Sequence, residues 1–176
     1  MSLLIQMEKI MPNVCVLISG CGYLDGAEVH ESVITLLTLS QAGASYQVAA
    51  PHKAQMHVVD HHRGAVVDGA SRMVHEEAAR IARGPVLDLP DVDVDQFDAL
   101  FLPGGFGAAK NLSSFAEKGD ECDVHPDVMR LVKEFVAKQK PQAALCIAPA
   151  MMAKIYESES VTPTLTIGND KDGISM

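Results

Sequence analysis

The chain has 176 residues, a length that fits one domain with one core. Apolar residues make up 48% and charged residues 21%, and no run approaches the ~18 consecutive apolar residues of a membrane span, so the sequence reads as a soluble globular protein. A formal net charge of −9, with the basic residues scattered rather than striped, argues against nucleic acid as a partner.

Residues 1–13 lack both the Arg and Ser richness of a transit peptide and the long apolar stretch of a signal peptide, and are expected to be a start or tag segment. "VCVLIS" (14–19) is a β-branched apolar run ended by "GCG", which predicts a strand buried on both faces. A helix should follow, with Asp25 and Glu28 at capping-box spacing and apolar residues at Val29, Val33, Leu36 and Leu37, until "AG" at 42–43 closes it. "YQVAAP" (46–51) predicts a second strand, "MHVVD" (56–60) continues the pattern, and a helix is expected near 71–83. "FDALFLP" (97–103) is a third buried strand. Pro126 opens a helix over 126–140 that places Val128, Leu131, Val132, Phe135 and Val136 on one face. "AALCI" is a fourth strand, with a helix from about Pro149. Strands alternating with helices predict a doubly wound, mainly parallel α/β sheet with helices on both faces, of flavodoxin-like architecture. Sites in such sheets lie at the carboxyl ends of strands, where "SGCGYLDG", "LPGGFGAAKN" and "LCIAPA" fall.

Cys146 stands where a strand turns into a helix, so its thiol can be presented at a sharp elbow beside backbone N–H groups, or it can be a small buried hydrophobe. "PGGFG" (103–107) favours the elbow, because glycines at a neighbouring strand end let backbone N–H groups approach a reacting oxyanion. Glu31, in the first helix, can reach such a thiol as a general acid or base, or can be an exposed surface residue.

"GAEVHESVITLLTLSQAG" (26–43), "FLPGGFGAAKNL" (101–112) and "ALCIAPAMMAKI" (144–155), preceded by "SGCG", resemble the ElbB, or ES1-like, sigma cross-reacting family of the DJ-1/PfpI class I glutamine amidotransferase-like superfamily. The resemblance runs from about Val14 to Asp170 and implies a single domain over 14–176 that lacks its C-terminal part. It further implies that Cys146 is the elbow cysteine and that Glu31 hydrogen-bonds it. Gly105 and Ile147 would supply the oxyanion N–H groups. The peptidase-like members carry a His after the cysteine, where this chain has Ile147, and the true glutaminases a late His-x-Glu pair, which is missing after Cys146. What the resemblance then implies is glyoxalase III-like or deglycase-like chemistry on a small carbonyl substrate, an α-oxoaldehyde such as glyoxal or methylglyoxal. It also implies a link to isoprenoid biosynthesis and a homodimer; no cofactor or metal is expected. His30 adjoins Glu31 but should point from another helix face, and His125 precedes a helix start, so neither is assigned as base.

The same cysteine fits a non-catalytic redox sensor, with Cys21 as its nearest candidate partner for a disulfide. "SGCGYLDG" is no dinucleotide fingerprint, since its third glycine position is Asp25. "HVVDHHRG" (57–64) lacks the companion acidic motifs of a metal phosphoesterase and is expected to be a strand entering a polar turn. The cysteines Cys15, Cys21, Cys122 and Cys146 show no CxxC spacing, which points to a reducing cytoplasmic setting.

Overall fold

In a computed structural model, described over residues 11–159 and 161–166, five parallel strands form the central sheet. They are β1 (Asn13–Leu17), β2 (Ser45–Ala50), β5 (Leu87–Asp88), β6 (Ala99–Leu102) and β7 (Gln142–Ala144), in the order β5-β2-β1-β6-β7. β1 pairs with β2 from Asn13 opposite Ser45 to Leu17 opposite Ala49, and with β6 through Val14 opposite Ala99. Most of the expected N-terminal segment, and residues 167–176 of the expected domain, lie outside the described residues.

Alternation along β1 builds two core layers. Val14, Val16 and Ile18 pack with Leu36 of α1 (Val29–Gln41) and with Val74 and Ala78 of α2 (Val74–Ala82). Cys15 and Leu17 face the opposite layer, where α5 (Pro126–Ala137) contributes Val128, Leu131, Val132 and Phe135, and α6 (Ala148–Tyr156) contributes Met151, Met152 and Ile155. Pro126 occupies the first turn of α5, where its missing N–H leaves no hydrogen bond unmade. The expected doubly wound architecture is therefore present, with helices on both faces.

Several local expectations are corrected. Asp25 does not cap α1. Glu28 does, its carboxylate accepting the Glu31 amide at 2.7 Å, while buried Asp25 accepts the Val59 amide at 2.7 Å. Of the four apolar positions expected to face the core from α1, only Leu36 is buried; Val29, Val33 and Leu37 are exposed. The 56–60 segment adds no strand to the main sheet, since only β3 (Val59–Asp60) forms, in an antiparallel ribbon with β4 (Ala65–Val66). Its "DHH" sequence makes the expected polar turn, with the Asp60 carboxylate accepting the amides of His62 and Arg63. Two short helices after β6, α3 (Phe106–Lys110) and α4 (Phe115–Lys118), and the two-residue β5, were not anticipated, because elements this short carry too few residues to show a period.

Candidate active site at the sheet's carboxyl edge

The chain winds from β1 through β2 to β5 and then returns to β6 and β7 on the other side of β1, so the sheet reverses direction between β1 and β6. A crevice at the carboxyl ends of the strands is expected at such a switch. Three connections meet there: the 18–28 loop after β1, the "PGGFG" turn after β6 and the turn after β7.

β7 ends at Ala144. The Leu145 amide makes one more ladder bond, to the Leu102 carbonyl at 3.0 Å, and the chain then turns into α6. Cys146 occupies the apex at φ 56°, a left-handed conformation that costs a non-glycine residue of order 1–3 kcal/mol. Its side chain is exposed, in contrast with buried Cys15 and Cys122 and half-buried Cys21. The reading of Cys146 as a buried strand hydrophobe is thereby overturned.

Gly104 is the contact that joins the elbow to α1, and its role was not singled out from sequence. A Cβ at this position would lie 2.2 Å from the Cβ of Cys146 and 2.7 Å from Oε2 of Glu31, so the cysteine and the carboxylate face the same glycine with no room for a side chain between them. The Gly104 amide donates to Oε2 of Glu31 at 2.8 Å. Glu31 therefore reaches the site as expected, but its hydrogen bond goes to Gly104; among the described residues none joins it to the Cys146 thiol. The cluster of three glycines in "GGFG" is the signal that pointed here. It does not reveal which glycine meets which neighbour.

Gly105 has φ 95° and is seated against the start of α1: a Cβ there would meet the Glu28 amide nitrogen at 2.3 Å and the Gly26 carbonyl oxygen at 2.6 Å. The turn is locked to that loop by hydrogen bonds from Glu28 N to Gly104 O, Phe106 N to Tyr23 O and Gly107 N to Gly26 O, at 2.7–2.8 Å. The amides of Gly105 and Ile147 make no hydrogen bond among the described residues.

Two depressions flank the elbow. One, of about 700 Å³, is lined by Phe106, Phe115 and Ile147; the other, of about 320 Å³, by Glu31, Ile34, Phe101 and Leu145. His30 projects outward, its side chain 87% exposed with Nδ1 2.9 Å from Glu28. His125 caps α5 and lines a separate cavity with Lys53 and Asn111. Cys21, the candidate disulfide partner, is a half-buried free thiol, and Cys146 is a free, exposed one.

This arrangement of an elbow cysteine, a glycine turn and an acidic residue on the first helix agrees with a match of residues 16–172 to the model of the DJ-1/PfpI family. The chain belongs to the DJ-1/PfpI family. Among curated relatives, it is 47% identical over 150 residues to a human protein named glutamine amidotransferase-like class 1 domain-containing protein 3, mitochondrial, and 46% identical to the rat ES1 protein homolog, mitochondrial. Each match covers 85% of this chain and 56% of the relative, so this DJ-1/PfpI chain spans little more than half the length of those proteins. A crystal structure of an isoprenoid biosynthesis protein with amidotransferase-like domain from Ehrlichia chaffeensis superposes with a TM-score of 0.79 at 38% identity, covering 84% of this chain and 70% of the other. Among the described residues, no helix is long and apolar enough to cross a membrane.

Proposed function

We propose that this DJ-1/PfpI domain is a glyoxalase III-like enzyme acting on small α-oxoaldehydes, with Cys146 as nucleophile and Glu31 as general base. The observation that carries this reading is the exposed, left-handed Cys146 set against Gly104 together with the Glu31 carboxylate. The Cys146 thiolate adds to the aldehyde carbon, forming a C–S bond while the carbonyl electron pair moves to oxygen, where the Gly105 and Ile147 amides can donate to it. Glu31 then takes the proton from the hemithioacetal carbon and returns one to the adjacent carbonyl carbon through an enediol, leaving a thioester of the 2-hydroxy acid. Water cleaves the thioester and restores the thiol. The net change is addition of one water to the oxoaldehyde, with no external oxidant or reductant.

The resemblance to the Ehrlichia protein extends this to a place in isoprenoid metabolism, and the free cysteines suit a reducing compartment such as the cytoplasm. A homodimer is proposed on the same family resemblance.

Conversion of glyoxal to glycolate and of methylglyoxal to lactate, in thiol-free buffer, tests the chemistry. Cys146→Ala is expected to abolish turnover and Glu31→Gln to reduce it by about 10²–10⁴-fold. A wild-type protein that turns over neither aldehyde, yet whose Cys146 is readily oxidised by peroxide, would replace this reading with the redox-sensing one.

A further inference from the structure

The larger depression beside the elbow is too big and too apolar for a three-carbon oxoaldehyde. Its volume of about 700 Å³ falls within the ~300–1,000 Å³ range of pockets for drug-sized ligands, and its walls are Phe106, Ala109, Phe115, Ala116 and Ile147. Phe106 directly follows Gly105, and Ile147 directly follows Cys146, so the two residues that continue from the reacting centre both line this cleft.

Phe106 is 44% exposed, an unfavourable state for a large apolar residue. Its backbone is nevertheless fixed, because its amide donates to the Tyr23 carbonyl at 2.7 Å. Lys110 does not turn the cleft into an anion site, since its ammonium donates to the Leu24 carbonyl at 2.7 Å and lies 5.4 Å from the Phe106 ring centroid. The acidic Glu117 and Asp120, which also line the cleft, disfavour a carboxylate- or phosphate-bearing tail.

From this geometry we infer that the preferred substrate is a 2-oxoaldehyde with an uncharged apolar substituent, seated between Phe106, Phe115 and Ile147. The inference rests on the Cys146 chemistry proposed above, and its reaction is the same balanced addition of water with the substituent unchanged.

The test compares kcat/KM for phenylglyoxal and a hexyl-substituted 2-oxoaldehyde with that for methylglyoxal. Each value is divided by the rate at which the same aldehyde adds to glutathione, which removes intrinsic reactivity. At about fourfold per buried methylene, the normalised preference for the apolar substrates is expected to exceed tenfold. Ala116→Glu, on an exposed wall position, should bring the ratio to near one, with Phe115→Ser as a second variant; Ile34→Glu, in the depression on the Glu31 side, should leave it unchanged. A wild-type ratio near one, or a collapse in Ile34→Glu but not in Ala116→Glu, overturns the inference. A parallel measurement keeps the cleft separate from the catalysis: alkylation of Cys146 by N-ethylmaleimide and N-phenylmaleimide, followed by intact mass and normalised to glutathione. No aldehyde turnover combined with an Ala116-sensitive preference for the phenyl reagent would sink the enzymatic reading and the oxoaldehyde with it, leaving the apolar cleft standing. Turnover without any such preference would do the reverse.

Discussion

Cys146 is held at φ 56° although only glycine adopts that region without strain, so the chain gives up stability at the position where it presents its thiol. The exposed thiol does not hold the turn in place; the Leu145 backbone does, its amide donating to the Leu102 carbonyl and its carbonyl accepting the Ala148 amide. It follows that Cys146→Gly should be more stable than Cys146→Ala by about 1 kcal/mol, even though it removes a carbon atom. Urea unfolding of both variants measures this, and an alanine variant as stable as the glycine one would show that the left-handed turn is unstrained. At this scale the sequence was partly legible. Cys146 and Glu31 could be named as candidates from residue type and place in the chain, and Gly105 and Ile147 were named through the family resemblance. Gly104 was not, because its role depends on an amide meeting a carboxylate 73 positions earlier in the chain.

The helices with regular apolar spacing were the readable elements, and their ends were less so. α5 shows its buried face plainly, whereas α1 carries Val33, Ile34 and Leu37 on an exposed side, where burial cannot be inferred from spacing. Asp25 and Glu28 both fit a cap, and the choice was made by the Val59 amide, which claims the Asp25 carboxylate. Burial opposes ionisation of Glu28, but the hydrogen bonds from the Glu31 amide and the His30 contact outweigh it and hold the carboxyl below its usual range.

α5 has a titrating cap. Nδ1 of His125 accepts the Asp127 amide at 3.3 Å, which requires the neutral ring. Burial pushes the His125 pKa below its ordinary 6.5, with Lys53 adding to the fall and the Asp127 carboxylate opposing it. The unfolded chain then takes up this proton first as pH drops. The His125 contribution is therefore complete above about pH 6.5 and is lost as pH falls through the unfolded value toward the lower folded one. His125→Ala should cost about 1 kcal/mol at pH 8, and the difference should shrink toward pH 5; His125→Asn, a cap that does not titrate, should keep its stability across that range. Melting temperatures of the three proteins between pH 5 and 8 decide it, and a constant gap between wild type and His125→Ala would remove the cap from the account.

Across the whole molecule, one sheet sorts four thiols into different chemical fates. Parallel strands with helices on both faces were predictable from the alternation of elements, whereas the strand order that puts β1 in the middle and β7 at the edge is seen only in the structure. Cys15, at the centre of β1 in the core layer under α5 and α6, is fully buried and its pKa is pushed up to about 12 by burial. Burial also raises the thiols of Cys21, with Glu77 adding to the rise, and of Cys122. Cys146 alone is exposed. Since the thiolate is the reacting form and must also be reached, native protein treated with a disulfide reagent at pH 8 should show one fast thiol, absent in Cys146→Ala. Cys15 should react only at the denaturant concentration that unfolds the sheet, because exposing it requires separating β1 from both of its neighbours. Site-resolved mass spectrometry along a urea series gives both results at once. Labelling of Cys15 well below the unfolding midpoint would mean that β1 opens locally, and a fast thiol surviving in Cys146→Ala would mean that the elbow is not the reactive position.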